Sequence, residues 1–245
     1  RLYTRNKNEV TRQYPELCDV PLKGDVVLDG EVACIDPQTG AICFESVMER
    51  FQLKKTDRIR SAVARMPVHF VVFDILQLNG KDLRRYSLLD RKAILDELLQ
   101  DSSHISKITY VQERGEELFG LIRDRSMEGI VAKRIGSTYV GQRSPDWKKI
   151  INWQHAEVVL IGYRKKEFGW LAAVETERGL KSVGIIELGA TPTHKRAFYG
   201  VANGIKSAEN EEYVFIEPRT RAKVKMRNWT RAGLLRNPVF EEFII

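Results

Sequence analysis

Cysteine is scarce: the 245 residues contain three, Cys18, Cys34 and Cys43. They form no Cys-x-x-Cys pair and no Cys/His metal spacing, which argues against a disulfide framework or a zinc cluster and suits a reducing, cytoplasmic compartment. Long apolar runs are also missing. A membrane-crossing helix needs about 20 apolar residues, whereas residues 68–76 and 157–161 are strand-sized and interrupted by polar side chains. No membrane partner is expected. No signal-peptide pattern opens the 245 residues, and they show no internal repeat or low-complexity stretch. The chain opens on Arg1, which reads as a cut, not a natural start.

Charge is plentiful. Forty Lys and Arg against 33 Asp and Glu leave a formal net charge of +7, which favours a polyanionic partner. The 43% hydrophobic and 30% charged shares are those of a folded globular protein. The length allows one large core or two smaller ones.

The residue pattern changes near 152–154. The first part reads as mixed α/β. Residues 1–5 suggest the tail of a strand, and 26–35 a second strand turning at 36–40 into a short return at 41–44. Phe44, Val47, Met48, Phe51 and Leu53 make a helical stripe. Residues 68–78 are β-rich and end at Asn79-Gly80, a strong turn pair. Ser87 with Asp90 resembles a capping box for a helix running to about Gln100. A strand near 107–112, a helix around 116–125 and strands at 129–134 and 147–151 complete this part. Strands at 156–164, 170–176 and 181–186, a helix at 193–204, and strands at 213–216 and 220–227 follow. That order suits a small five-stranded Greek-key barrel. The expected architecture is an α/β (α+β) domain over residues 1–153 and an all-β barrel over 154–245.

Glu128-Gly129-Ile130-Val131-Ala132-Lys133 is the sharpest local signal. On a strand Glu128, Ile130 and Ala132 share one face, and Gly129, Val131 and Lys133 the other. Alone, it reads equally well as an ordinary buried strand. Upstream lie Leu28-Asp29-Gly30-Glu31 and Phe70-Val71-Val72-Phe73-Asp74; downstream lies Arg143-Ser144-Pro145-Asp146-Trp147-Lys148-Lys149-Ile150. Taken singly, Glu31 would be a solvated acid, Phe73 core packing, and Lys133 and Lys149 surface lysines.

Together and in this order, these segments resemble the nucleotidyltransferase superfamily of DNA ligases, RNA ligases and capping enzymes. Arg1-Leu2-Tyr3-Thr4-Arg5-Asn6 with Tyr14-Pro15-Glu16-Leu17, and Gly233-Leu234-Leu235-Arg236-Asn237-Pro238-Val239-Phe240, are similar to segments of bacterial and phage-type ATP-dependent DNA ligases. The resemblance covers nearly the whole chain. It implies a nucleotidyltransferase domain followed by an oligonucleotide-binding (OB-fold) barrel. The implied activity is sealing of 3′-hydroxyl/5′-phosphate nicks in duplex DNA, with ATP, an AMP intermediate and Mg²⁺ or Mn²⁺. Such phosphoryl transfers depend on positioning and charge neutralisation. By the resemblance, Glu31 contacts ribose or organises metal, Phe73 stacks on adenine, Glu128 binds the catalytic metal, and Lys133 and Lys149 face the α-phosphate. Asp29 is expected to support its turn. Arg5 and Arg143 are candidate phosphate contacts.

Two departures stand out. In the ligase pattern Trp-x-Lys-x-Lys, Trp147 and Lys149 fit, but Ile151 replaces the second lysine. No Lys-x-Asp-Gly occurs in the 245 residues. The resemblance places that nucleophile motif just upstream of Arg1, so these residues alone are not expected to self-adenylate.

From Arg219 to Arg236 the sequence holds Arg219, Arg221, Lys223, Lys225, Arg227, Arg231 and Arg236 and no acid. The first five alternate with Thr220, Ala222, Val224 and Met226, so one strand face should be wholly cationic and the other mostly apolar. Arg164, Lys165 and Lys166 add a second cluster. These residues suit a sugar-phosphate backbone; otherwise they make a solvated outer face. The expected partners are nicked duplex DNA and ATP, with the chain a monomer. A non-catalytic nick-binding protein and an RNA ligase or capping-type enzyme are the alternatives.

Overall fold

The computed structural model describes residues 1–22, 24–36 and 42–244. Most of the turn expected at 36–40, and the first residue of its return, lie outside them. Two compact units are present: Arg1–Gly115 with Val131–Lys148, and Glu116–Ile130 with Lys149–Ile245.

In the first unit, β1 (Val26–Cys34), α1 (Phe44–Gln52), α2 (Thr56–Arg65), β2 (Val68–Leu78), β3 (Lys81–Asp82), α3 (Leu88–Leu98) and β4 (Ile105–Lys107) follow in order. β1 runs antiparallel to β2, from Val26 opposite Leu78 to Cys34 opposite Val68. β3 returns beside β2 after Asn79-Gly80, both at positive φ, and β4 adds in parallel. Cys34, Val68, Ala62 and Met66 bury together with Tyr14 and Leu17. Val72, Ile75, Leu95, Leu99 and Ile105 form a second apolar cluster. Ser87 caps α3: its hydroxyl oxygen accepts from the Asp90 backbone N–H at 3.2 Å.

Asp29 opposes Asp74 while Gly30 opposes Val72, so Phe73 is an extra residue on β2. Such a bulge re-aims a side chain. Gly30 is required beside it, since a Cβ there would lie 2.7 Å from both the Phe70 ring and the Val71 carbonyl oxygen.

The chain continues through α4 (Gly115–Asp124), β5 (Gly129–Lys133) and β6 (Trp147–Ile151). β5 and β6 pair as a ribbon. The division between units falls within it, so Lys133 and Trp147 belong to the first unit and Glu128 and Lys149 to the second.

The second unit adds β7 (Gln154–Arg164), β8 (Trp170–Thr176), β9 (Gly179–Ile186), α5 (Pro192–Ala202), β10 (Lys206–Glu209), β11 (Tyr213–Met226) and β12 (Val239–Ile244). The sheet order is β10-β11-β7-β8-β9, with β12 on β11. Thr191 and Pro192 start α5 through a capping box with His194. The helix inserts Phe198 and Ala202 into a core with Trp170, Val183, Val224, Met226 and Phe240.

Several sequence expectations are corrected. Residues 1–5 form no strand tail; Tyr3 bridges Glu9 around a turn in which Lys7 takes positive φ. The strand expected at 107–112 is Ile105–Lys107. Strands 213–216 and 220–227 are one strand, broken in register between Phe215 and Thr220, where Pro218 has no N–H to donate. The sheet has six strands, because β10 and β12 escaped the pattern. β10 is short and exposed, and β12 (Val-Phe-Glu-Glu-Phe-Ile) does not alternate. α2 also went unread, its buried face being only Ile59 and Ala62. No helix among the described residues is long and apolar enough to cross a membrane.

Candidate nucleotide site and nucleic-acid face

In the first unit, Lys133 lies among aromatic rings. Its Nζ is 3.5 Å from the centroid of Trp147 and 4.5 Å from that of Phe73, with the two rings edge to face at 6.3 Å. The nitrogen is buried, and the described residues offer it no hydrogen-bond acceptor. Burial is the main reason its pKa falls to about 8; the carboxylates of Asp74 and Asp29 oppose the shift. Cation–π attraction partly replaces the lost water.

Asp29 accepts a hydrogen bond from the Tyr139 hydroxyl at 2.8 Å. Burial raises its carboxyl above the usual range, and the bond from Tyr139 partly offsets that. Tyr139 in turn meets Trp147 edge-on at 5.7 Å. Asp74 is not a ligand candidate. Its carboxylate is buried against Arg91 at 2.7 and 3.0 Å, and Arg91 also donates to the carbonyls of Tyr86 and Ser137. That guanidinium ties α3 to β2 and to the segment carrying Tyr139. Trp147 and Asp74 stood in the quoted motifs without a role; Tyr139 and Arg91 carried no sequence signal.

Glu31 is exposed and has no hydrogen-bond or ion-pair partner among the described residues. Arg5 and Arg143 are exposed.

In the second unit, Glu128 precedes a glycine that no other residue could replace. Gly129 has φ +143°, and a Cβ there would sit 2.2 Å from the Ile150 carbonyl oxygen. One Glu128 oxygen is bonded to the guanidinium of Arg227, and the other to that of Arg236 at 3.1 Å. Lys149 is exposed on β6. Among the described residues no group of three His, Cys, Asp or Glu is placed to hold a metal ion. With Glu128 held by two cations, this arrangement does not fit a divalent ion, and no chemical step is derived through one.

β11 alternates as expected: Ala222, Val224 and Met226 are fully buried, and Arg221, Lys223 and Lys225 face outward. The expectation of a face without balancing acids is corrected. Arg219 pairs with Glu217 at 2.5 Å, Arg221 with Glu175 at 2.5 Å, Lys223 with Glu242 at 3.7 Å and Lys225 with Glu241 at 3.6 Å. Lys165 pairs with Glu209 at 2.7 Å, and Arg164 with Glu167 at 2.8 Å and with Glu187. Glu175, Glu187, Glu209, Glu241 and Glu242 come from other strands and loops and are invisible to a local reading, whereas Glu217 and Glu167 lie within three residues of their partners. Such solvent-exposed pairs are weak and screened by water and salt, so a phosphate can displace them.

An α/β unit with a desolvated lysine over aromatic rings, joined to a curled sheet plugged by a helix, defines a nucleotidyltransferase domain followed by an OB-fold barrel. Residues 1–150 match the ATP-dependent DNA ligase domain, and the chain belongs to that family of enzymes. It is 36% identical to the SPbeta prophage-derived DNA ligase-like protein LigB of Bacillus subtilis over 99% of this chain and 84% of that protein. It is 28% identical to the multifunctional non-homologous end joining protein LigD of Mycolicibacterium smegmatis over 97% of this chain, which spans 32% of that longer protein. The ligase domain of M. tuberculosis LigD shares the fold at TM-score 0.53 and 24% identity, over 100% of this chain and 82% of that one. A Lig E DNA ligase does so at TM-score 0.62 and 17% identity, over 99% and 85%.

Proposed function

We propose that this chain seals 3′-hydroxyl/5′-phosphate nicks in duplex DNA with ATP, through enzyme-AMP and DNA-adenylate intermediates and with Mg²⁺ or Mn²⁺ as cofactor. Residues 1–153 serve as the adenylation domain and 154–245 as the DNA-binding barrel, acting as a monomer in the cytoplasm. The observation that carries this reading is Lys133. A buried ammonium without an acceptor, beside the rings of Phe73 and Trp147, suits a ligand that is flat and apolar at one end and anionic at the other, as AMP is. Glu31 serves the ribose and Lys149 the α-phosphate, while Glu128, the acid the resemblance gives to the cation, is held by Arg227 and Arg236. Arg5, Arg143, Arg164, Lys165, Arg219, Arg221, Lys223, Lys225, Arg227 and Arg236 serve DNA phosphates.

The test uses a nick already carrying 5′-AMP. Its sealing needs no lysine nucleophile, and the 245 residues contain no Lys-x-Asp-Gly. Sealing of that nick by this chain, with no acid-stable protein-AMP adduct formed from labelled ATP, is expected. Binding of the nick without sealing would favour a non-catalytic nick-binding protein. An adduct mapped to any lysine of these residues would overturn the assignment of the nucleophile.

A further inference from the structure

The cations of β11 are matched by acids, but a cluster in the first unit is not. From Lys54 to Arg65 the chain carries five basic residues and one acid, Asp57. α2 turns Ile59 and Ala62 into the core, at 3% and 0% exposure, and leaves Arg58 and Arg60 exposed. Lys54 and Lys55 lead into that helix and are exposed as well. Arg12, from the 3-10 turn Thr11–Gln13, lies against the helix start, where its Nη2 donates to Thr56 Oγ1 at 2.7 Å. Arg65 has an ion-pair partner, Glu49 at 3.2 Å. Among the described residues, Arg12, Lys54, Lys55, Arg58 and Arg60 have none.

Exposed cations gathered on one helix and its lead-in repel one another, and their summed field points into solvent. On β11 acids from neighbouring strands cancel that field. Beside α2 the one acid of the stretch is Asp57, so an external polyanion is what neutralises the face. We infer that the α2 face is a second duplex-contacting surface, on which Arg12, Lys54, Lys55, Arg58 and Arg60 meet DNA phosphates. The inference rests on the reading of duplex DNA as the substrate. Long, exposed side chains on a helix and a loop suit a backbone that offers phosphates in a row, and such contacts carry no sequence information. The β11 cations must leave acids to meet phosphate, whereas the α2 cations leave only water and counterions. Each charge on α2 therefore adds more to affinity than each charge on β11.

The test measures binding of a 5′-phosphorylated nicked duplex by the full chain across a salt series, with circular dichroism melting as the folding control. Wild type is compared with Lys54→Gln/Lys55→Gln/Arg58→Gln/Arg60→Gln and with the charge-conserving Lys54→Arg/Lys55→Arg/Arg58→Lys/Arg60→Lys. The glutamine variant should bind about tenfold or more weakly at about 0.1 M salt, with a log–log salt slope lower by about two to four. The charge-conserving variant should stay near wild type, and changing the duplex sequence should leave the loss as it is. An unchanged slope in the folded glutamine variant would overturn the inference.

A second readout needs no variant. Acetylation of Lys54 and Lys55 in wild type, followed by mass spectrometry, should slow about threefold or more when saturating duplex is added at low salt, and should recover as salt is raised. Equal acetylation with and without bound duplex would place α2 away from DNA and sink the proposal. The two readings fail in different ways. If wild type binds no duplex, the substrate reading falls and the α2 surface with it. If Arg221→Gln/Lys223→Gln/Lys225→Gln lowers the slope while the α2 variant does not, DNA remains the substrate and only the α2 surface is lost.

Discussion

The two units handle charge in opposite ways. Every buried polar or charged side chain among the described residues, Ser46, Arg50, Asp74, Arg91, Lys92 and Ser137, lies in the first unit. There Arg50 chelates Glu16 at 2.7 and 3.0 Å and also bonds the carbonyls of Gln13 and Met66. Asp74 and Arg91 do the same on the other cluster. The second unit buries only apolar side chains around Trp170 and carries its ions outside, paired across strands. Buried, paired ions such as Arg50–Glu16 and Arg91–Asp74 hold a shape and do not exchange, because an abandoned partner would be left charged in a dry interior. Exposed pairs exchange cheaply for another anion. The first unit is thus built as a fixed cradle and the second as an adaptable polyanion surface.

The comparison breaks or holds first on stability. Arg91→Ala should destabilise the first unit by about 3–5 kcal/mol, since it strands Asp74 and two carbonyls. Arg221→Ala, which breaks only an exposed pair with Glu175, should leave the urea midpoint close to that of wild type. Urea unfolding of both variants checks this, and equal losses would erase the distinction.

Binding gives the next largest effect. Replacing Arg221, Lys223 and Lys225 together by Gln should reduce the slope of log affinity against log salt by about two to three, with a folded state close to wild type in melting temperature. An unchanged slope would make β11 a solvated face and nothing more.

The smallest effect sharpens the first unit. With its pKa lowered to about 8 from 10.5, Lys133 is charged below pH 8 and progressively neutral above it. AMP affinity should therefore fall as pH rises through about 8 and become flat in Lys133→Met. The stability sign is opposite. Between about pH 8 and 10.5 the unfolded chain holds a proton that the folded chain has lost, so stability should rise with pH across that window. Calorimetric AMP titrations and melts at several pH values read both trends; a melt independent of pH over that range would place Lys133 in water.

Much of this was legible from residue order. The Asp-Gly-Glu and Glu-Gly segments were visible, and their glycines have plain causes in Phe70 and in the Ile150 carbonyl. Phe73 was visible as an aromatic in an apolar strand, but not its position as the extra residue of a bulge, because a bulge depends on the partner strand's register. The alternation of β11 was visible as well. Its neutralising acids were not, since Glu175, Glu241 and Glu242 lie well away in sequence. α2, β10 and β12 were missed because their apolar patterns are too short or irregular to show a period.

Composition, period and motif spacing determined that the chain joins a mixed α/β unit to a β-rich one, and which side chains were candidates. Those properties are local, being set by strand alternation, turn chemistry and glycine sterics. Tertiary structure alone decided which charges are buried and which exposed, that Lys133 sits without an acceptor between two rings, and that Glu128 is held by Arg227 and Arg236, 99 and 108 residues away. Charge pairing and desolvation depend on distance in space, and a chain order records them only after it has folded.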